Sequence, residues 1–366
     1  MNKPVQWSID VEPIGDVPRF APRSAFWREL KAVASDHLAA EGVRDRSSVG
    51  DMRARRKAAI IVLWFGLSYC ALLGAPTLVA AMLAALSFAF AASALGFCVF
   101  HDANHGTLLG RASSNLAVAR LCSVLLGPSR YLWVYKHRMH HRQPNVLGWD
   151  DDLETRGLLR LSPGCAWETR FRRQEMKAVL YYALNTLEWL FWKDFLCLAR
   201  GRLNEWHTVH LNKIEKMELI VCKGLYVLLF VVPPFLVLPA LWAIAAFILF
   251  HVALSWMMAI VFQVAHLTPG MAFEGVREGD DWAIHQIRTT ADFATNSRFA
   301  TWFTGGLNHQ VEHHLFPNVA HTHYPDLRPI VRAVAERHGL ECNDLGSALS
   351  AIRQHFALLK ALGRQD

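Results

Sequence analysis

Three short stretches of this chain collect histidines at spacings that suit metal coordination. They are HDANH at residues 101–105, HRMHH at residues 137–141 and NHQVEHH at residues 308–314. On an α-helix, residues i and i+4 share one face, so His101 and His105 can reach a common point. Imidazole is a common ligand of iron, zinc, copper and nickel. The three stretches therefore predict a metal site built mainly from neutral histidines.

Further positions extend this set of candidate ligands. His266 is the first ionisable residue after a long apolar run, and a lone histidine there is ordinarily an interfacial residue without a ligand role. A ligand role is favoured here because His101 ends another apolar run in the same way. Gln310 stands three residues before a His-His pair, the place that His137 occupies in the second stretch, and its amide oxygen is a candidate ligand. His309 beside it is either an additional ligand or a solvated, hydrogen-bonded side chain.

Polar residues near these histidines are candidates for a supporting role. A metal-bound histidine usually donates its second ring N–H to a carboxylate or a carbonyl, which fixes the ring. The alternative for each acid is that it only solvates a loop. The candidates by position are Asp102, Asn145, Asp150, Asp152 and Asn308.

The number and type of donors indicate the metal chemistry. Eight or more imidazoles exceed the ligands of one ion and suggest two ions. No cysteine lies within the three stretches, which argues against structural zinc and iron–sulfur centres. The sequence also lacks H-E-x-x-H, a motif of zinc hydrolases. A nitrogen-rich pair of ions with few carboxylates fits redox iron that activates O2 for attack on an unactivated C–H bond.

Two long apolar runs must position the histidine stretches. Residues 58–100 and 224–265 contain no Asp, Glu, Lys or Arg. At 1.5 Å per helical residue, a run of about forty residues is about 60 Å long, twice the thickness of a bilayer's hydrocarbon core. Each run therefore predicts a hairpin of two transmembrane helices, with turn signals at Gly74 to Pro76 in the first and at Pro239 in the second.

Basic residues flank the runs and are absent from the reversals. They are Arg53, Arg55, Arg56 and Lys57 before the first run, and Lys213, Lys216 and Lys223 before the second. By the positive-inside rule, both termini and the segment between the hairpins are predicted to be cytoplasmic. The net charge of +7 then reflects topology and contact with anionic lipid rather than nucleic-acid binding, because no basic run is interleaved with aromatic residues. Seven scattered cysteines without a C-x-x-C pattern favour a reducing compartment.

Composition divides the chain into five segments. They are a cytosolic N-terminal segment (1–57), a transmembrane hairpin (58–100), a cytosolic and interfacial segment with two histidine stretches (101–218), a second hairpin (219–265) and a cytosolic C-terminal cap with the third stretch (266–366). Mixed apolar and charged residues predict interfacial helices at Leu116 to Tyr135 and Val179 to Leu198. Amphipathic patterns predict helices near Phe26 to Ala40 and at Asp326 to His338. Period-2 alternation never persists, so no β-sheet is expected, and the predicted class is an all-α membrane protein with a helical cap.

The three histidine stretches resemble the histidine boxes of the integral-membrane fatty acid desaturases. HDANH, HRMHH and QVEHH stand in the order of that family's three boxes, and His266 after FQVA matches its additional histidine. The resemblance covers about residues 58–330. A third box that opens with glutamine, as in GGLNHQVEHHLFP, is similar to the front-end and acyl-lipid subgroup. HHRQPNVLGWDDD and DWAIHQIRTTADFAT point to the same subgroup.

The resemblance implies a four-span helical enzyme that uses two irons, O2 and two electrons to convert adjacent methylenes of a long acyl chain into a cis double bond. The sequence leaves open whether that chain is carried by a lipid, by coenzyme A or by an acyl-carrier protein. It also implies an acyl tunnel, for which Trp282, His285 and Thr289 are candidate lining residues, although packing is an equal alternative. The iron ligands it implies are His101, His105, His137, His140, His141, His266, His313 and His314, with Gln310 where another subgroup has histidine.

The sequence contains no HPGG, the haem motif of the cytochrome b5 domain that many front-end enzymes carry. Electrons are therefore expected from a separate ferredoxin, cytochrome b5 or flavoprotein. Two alternatives stay open at the level of sequence. A related hydroxylase or acetylenase would use the same ligands, whereas a metal transporter or sensor would place ionisable residues within the spans, where His251 is the sole example in the charge-free runs.

Overall fold

The computed structural model of the chain describes residues 20–43, 51–204, 207–273 and 281–365. The described residues fall into two units. Unit 1 contains residues 51–135, 180–204 and 207–259, and unit 2 contains residues 20–43, 136–179, 260–273 and 281–365.

The described residues are mainly α-helical, as the sequence predicts. The α-helices are α1 (Ala25–Ala40), α2 (Met52–Leu73), α3 (Leu78–Leu95), α4 (His101–His105), α5 (Ala112–Leu126), α6 (Arg130–Arg142), α7 (Gln174–Glu188), α8 (Asp194–Arg200), α9 (Lys213–Tyr226), α10 (Val232–Val237), α11 (Ala240–Gln263), α12 (Trp282–Thr289), α13 (Arg298–Phe303), α14 (Gln310–Leu315), α15 (Tyr324–Arg337) and α16 (Ala348–Leu362). Short π-helical turns at Gly96–Phe100, Trp189–Lys193 and Val227–Val231 join α3 to α4, α7 to α8 and α9 to α10.

Among the described residues, four helices are long and apolar enough to cross a membrane, and all of them lie in unit 1 except the last four residues of the fourth. They are Met52–Leu73, Leu78–His105, Lys213–Val237 and Ala240–Gln263. The first two are joined at Gly74, and the Thr77 hydroxyl caps α3 by accepting from the Ala80 N–H. Pro239 lies between the other two. The four-span, all-α prediction is confirmed, and the helices extend into the charged residues that precede each apolar run.

The predicted interfacial helix from Leu116 to Tyr135 is wrong in one respect, because it is two helices. Gly127 ends α5 with a φ of +88°, a left-handed conformation that glycine adopts without a steric cost. A Cβ at this position would collide with Leu190. The Asp194 carboxylate then accepts the Ser129 N–H at 3.0 Å and pairs with the buried Lys223 ammonium at 2.9 Å. These contacts fix the chain just before α6, which carries the second histidine stretch.

A helical core in unit 2 holds the third histidine stretch. Phe26 and Leu30 of α1 pack with Ile287 of α12, Val311 of α14 and Val331 of α15, and all five side chains are almost completely buried. Burying an apolar side chain of this size contributes about 1.5–3 kcal/mol. Helix α14 has six residues, too few for an isolated helix to be stable in water, so this packing must define its position.

The expectation of no β-sheet is wrong for four residues. Ala291–Asp292 (β1) and Asn343–Asp344 (β2) form a two-residue parallel pair in unit 2. Strands this short cannot show the period-2 alternation from which a strand is predicted. The pair places Asp292 next to the first turn of α14, whose Val311 N–H donates to the Asp292 carboxylate at 3.1 Å.

Candidate metal centre

The second histidine stretch forms the last turns of α6. Spacings of three and four residues place His137, His140 and His141 on one helical face. The His137 and His141 rings are 4.5 Å apart between centroids. The third stretch presents His313 and His314 from α14, at 4.6 Å and 4.3 Å from the His141 ring. Residues more than 170 positions apart in sequence therefore share one buried cluster in unit 2.

One group within this cluster consists of His140, His266 and His314. One ring nitrogen from each lies within 4.8 Å of the others, and all three side chains are buried. The Nε2 atoms of His140 and His266 are 3.2 Å apart. The Gln310 amide lies 3.0 Å from His266 Nε2. Three imidazoles and one amide thus surround a single point.

A second group consists of His137, His141 and His313. Ring nitrogens of these three residues also lie within 4.8 Å of one another. The Nε2 atoms of His137 and His141 are 3.1 Å apart. Each of these two neighbouring groups of three imidazoles offers enough nitrogen donors to hold one metal ion.

The outer ring nitrogens are held by polar groups. His140 Nδ1 lies 3.0 Å from the Asp150 carboxylate, and His266 Nδ1 lies 3.0 Å from the Thr289 carbonyl oxygen. His314 Nδ1 lies 2.9 Å from Gln286 Oε1. These three partners are acceptors, so each Nδ1 must carry the proton and each Nε2 must carry the lone pair.

The His313 ring is held by a hydroxyl group, which can donate or accept a hydrogen bond. Its Nδ1 lies 3.1 Å from the Tyr324 hydroxyl, at the start of α15. Neither Tyr324 nor Gln286 was a candidate on sequence grounds. Gln286 lies inside the DWAIHQIRTT stretch between two predicted channel residues, whereas no sequence signal connects Tyr324 with α14.

The electrostatics of the cluster fit bound cations. Burial lowers the pKa of His266 to about 3 and that of His314 well below its usual range, so both imidazoles are neutral at physiological pH. For His140, burial is outweighed by the Asp150 and Asp152 carboxylates, which raise the pKa of the imidazole. The Nε2 atoms of His140 and His266 are 3.2 Å apart, and those of His137 and His141 are 3.1 Å apart. These separations place pairs of ring nitrogens where one cation can bind both, and neutral imidazole is the form that binds metal. The nitrogen-rich donor set therefore suits the iron that the family resemblance implies.

The first histidine stretch lies in unit 1 at the end of the second long helix. The His101 and His105 rings are 4.5 Å apart, as the i, i+4 spacing predicts. His101 Nδ1 lies 3.6 Å from the Asp102 carboxylate, which was a candidate supporting residue. Gly106 ends the helix directly afterwards with a φ of +77°.

The other candidate supporting residues differ in their contacts. The Asn145 N–H donates to Asp150 at 2.9 Å, and its amide donates to the His266 carbonyl at 2.9 Å. Asp152 Oδ2 lies 3.4 Å from His140 Nδ1 and also pairs with Lys136. Asn308 instead contacts the Thr301 hydroxyl at 3.1 Å.

The three candidate channel residues have packing contacts near the cluster. Trp282 Nε1 donates to the His141 carbonyl at 3.2 Å, and His285 Nε2 lies 3.0 Å from the Pro144 carbonyl. The Thr289 hydroxyl donates to the His285 carbonyl at 2.7 Å. Their role in an acyl channel stays a prediction.

Comparison with known proteins gives the class to which this fold and site belong. The sequence profile of the fatty acid desaturase family matches residues 75–346. An sn-1 linoleoyl-lipid 6-desaturase of Synechocystis sp. is 31% identical, with 94% of this chain and 98% of that protein covered. The enzyme of the same name from Arthrospira platensis is 28% identical, with 94% of each chain covered. An acyl-lipid (8-3)-desaturase of Physcomitrium patens is 30% identical over 82% of this chain and 64% of its own length.

The chain therefore belongs to the fatty acid desaturase family. It is a membrane protein whose described residues include four long apolar helices. It is also an oxidoreductase that acts on fatty acyl chains. Its relatives place it in the front-end and acyl-lipid subgroup, as the glutamine that opens the third box predicts.

Proposed function

We propose that the protein uses two iron ions and O2 to introduce a cis double bond into an acyl chain esterified in a membrane lipid. The observation that carries this proposal is the convergence of histidine ring nitrogens in two neighbouring groups, with the Nδ1 atoms of His140, His266 and His314 held by acceptors. A buried set of imidazole nitrogens of this kind is suited to binding metal ions.

The proposed ligands divide according to the two groups. One set is His140, His266 and His314, with Gln310 at its edge, and the other contains His137, His141 and His313. His101 and His105 are added as ligands because HDANH matches the first box of the family, and this part of the assignment depends on sequence alone. His309 is not assigned to either set.

The chemistry of the reaction determines its other substrates. When bound, the iron pair supplies the oxidising power that removes two hydrogens from adjacent methylenes. In balance, –CH2–CH2–, O2, two electrons and two protons give –CH=CH– and two water molecules. The electrons require a protein donor, which we propose to be a separate ferredoxin, cytochrome b5 or flavoprotein. This chain's residues hold the imidazoles in their ligand tautomer and bury them from water.

The proposed substrate is a lipid-bound acyl chain, with linoleoyl at sn-1 of a glycerolipid as the first to be tested. Support comes from the Synechocystis and Arthrospira relatives, which are named for that substrate and for position 6 and which align over 94% of this chain. The proposed topology places both termini and the histidine stretches on the cytoplasmic side. Its support is the basic character of the residues before α2 and α9 and the neutrality of the reversals.

The test is expression in a host that lacks polyunsaturated lipids and is fed linoleate. Mass spectrometry that locates double bonds is expected to find a new cis bond at position 6 in lipid-bound chains, and none in the His314→Ala variant. The Synechocystis relative in the same host is the control that the host's electron donor is adequate. A hydroxylated or acetylenic product, or a product only in acyl-CoA, would contradict the proposal.

A further inference from the structure

A second cluster of metal-binding side chains lies beside the first turn of α14, and the desaturase mechanism does not use it. It consists of Asp292 of β1 together with His309 and Glu312. One donor atom from each residue lies within 4.8 Å of the others, and all three side chains are essentially inaccessible to solvent. Glu312 and His309 are neighbours of the proposed iron ligands in sequence, but they lie against Asp292 and each other, and His309 also contacts the Thr301 hydroxyl.

Three polar atoms of this cluster have no hydrogen-bond partner among the described residues. They are His309 Nδ1 and both carboxylate oxygens of Glu312, and all are buried. His309 Nε2 lies 3.3 Å from the Thr301 hydroxyl, so its N–H can donate there and leave a lone pair on Nδ1. A buried carboxylate and a buried lone pair without partners are costly unless a cation, or a proton shared with the Asp292 carboxylate, compensates them.

The separation of these atoms suits a metal ion better than a hydrogen bond. His309 Nδ1 is 3.8 Å from Glu312 Oε2. This is too long for an N–H···O hydrogen bond, which is about 2.7–3.2 Å. Two ligands bound to one ion at about 2.0–2.2 Å lie about 3.3–3.6 Å apart at a tetrahedral angle and up to about 4.4 Å apart in line, so 3.8 Å is compatible with a shared cation at an angle wider than tetrahedral.

The charges around the cluster leave one carboxylate to be neutralised. Arg328 and Arg332 lie 3.3 Å and 3.8 Å from the Asp292 carboxylate, and both also contact Asp344. Two guanidinium groups balance Asp292 and Asp344. Among the described residues, the recorded ion-pair contact of Glu312 is with His309, not with a guanidinium or ammonium group. Burial and the neighbouring Asp292 carboxylate raise the pKa of Glu312 well above its usual range, so either a proton or a metal cation must compensate this carboxylate.

We propose that Asp292, His309 and Glu312 bind a further divalent transition-metal ion, zinc or manganese, separate from the iron pair. One imidazole and two carboxylates are a donor set that these ions accept. The ion would connect β1 with the first turn of α14 and thereby fix the helix that carries His313 and His314. It would also account for His309, which stands directly before the third box.

The experiment counts metals in the purified full-length protein. Chains of wild type and of Glu312→Gln are stripped with a chelator, loaded with zinc chloride alone and measured by elemental analysis after removal of free zinc. The variant is expected to bind one equivalent less than wild type. The same substitution at the exposed Glu336 of α15, Glu336→Gln, is the matched control and should leave the count unchanged.

Glutamine at position 312 also distinguishes a cation from a shared proton, because its amide resembles a neutral carboxyl group. If Glu312 and Asp292 share only a proton, Glu312→Gln will keep the full zinc count and the wild-type melting temperature, which would overturn the proposal. A loss of more than one equivalent would also overturn it, because Glu312 would then support the histidine cluster instead.

A second variant separates this proposal from that of the iron site. His140→Ala/His314→Ala removes ligands of the histidine cluster and leaves Asp292, His309 and Glu312 intact. One equivalent of zinc that is retained in this background and lost on adding Glu312→Gln supports the new site. Equal zinc counts in the double variant and in the triple variant that adds Glu312→Gln would contradict the new site, whatever the outcome for desaturation.

Discussion

Replacement of Asp150 by asparagine is the most informative small change near the metal centre. The Asp150 carboxylate accepts from His140 Nδ1 at 3.0 Å, from the Asn145 N–H at 2.9 Å and from the Asp152 N–H at 3.0 Å. Asparagine has the same shape as aspartate but only one side-chain oxygen. Its NH2 group would face one of these three N–H donors and could not accept from it. We therefore expect the loss of at least one charge-assisted hydrogen bond, worth about 1.5–3 kcal/mol.

This loss acts on metal binding through the His140 ring. A carboxylate partner fixes the tautomer and raises the basicity of a metal-bound imidazole, and removing such a partner typically costs about 10–100-fold in metal affinity. That factor corresponds to about 1.4–2.7 kcal/mol, in agreement with the hydrogen-bond estimate. Asp150→Asn is therefore expected to bind iron(II) about 10–100-fold more weakly than wild type.

The assay is competition for iron(II) between the purified protein and a chromophoric chelator under anaerobic conditions. Asp36→Asn, the same substitution at an exposed position of α1, is the control and should match wild type. An affinity of Asp150→Asn within twofold of wild type would refute the proposed role of Asp150.

Other substitutions test different parts of the molecule. Gln310→His should bind iron at least as well as wild type but change the turnover of double-bond formation, and an unchanged rate would count against Gln310 as a labile ligand. Burial lowers the pKa of His355 to about 4, from 6.5 for an exposed imidazole. As the pH falls, the unfolded chain therefore takes up a proton at this residue before the folded chain does. The free energy of unfolding should decrease between pH 6.5 and pH 4, by up to about 1.4 kcal/mol per pH unit. His355→Gln should flatten the pH dependence of the melting temperature by that share, and an unchanged slope would contradict this cause. Lys223→Met should destabilise unit 1 by about 3–5 kcal/mol, because the buried Asp194 carboxylate loses the ammonium group that pairs with it. Adding Asp194→Asn should recover part of this loss in thermal denaturation. No recovery in the double variant would contradict that explanation.

The sequence predicts the helical membrane architecture well, because long charge-free apolar runs are a strong signal that can be read from neighbouring residues alone. A charge-free run of about forty residues can satisfy its backbone inside a bilayer only as helices, and turn residues near Gly74 and Pro239 locate the reversals. The break at Gly127 was missed because apolar composition continues on both sides of it. The β1–β2 pair was missed because two residues carry no periodicity.

Much of the metal centre could also be predicted from sequence, because the ligand spacings follow helical geometry. Spacings of three and four residues place His137, His140 and His141 on one face of a helix. In the structure these rings contact His313 and His314. The partners of the ring nitrogens could be predicted only where they lie near in sequence. Asp150 follows His140 by ten residues, whereas Tyr324 meets His313 only through the packing of α15 on α14.

The glutamine that opens the third box has a specific place in the structure. Its amide lies 3.0 Å from His266 Nε2, and the amide oxygen is buried without a partner among the described residues. The nitrogen and oxygen of an amide are assigned from their hydrogen bonds, and a half-turn of the side chain would direct the oxygen at the same point as His266 Nε2. Gln310 is thus positioned either to donate to a ligand or to act as one.

The most direct test of the account is the iron content of the purified enzyme. Wild type is expected to hold about two iron ions per chain, with a Mössbauer signal typical of iron that is bound mainly by nitrogen ligands. His314→Ala is expected to lose iron while its circular dichroism and membrane insertion stay unchanged, because the apolar hairpins fold independently of the site. Wild-type iron content in His314→Ala, or the absence of iron from active wild-type enzyme, would contradict the claim that these histidines hold the catalytic metal.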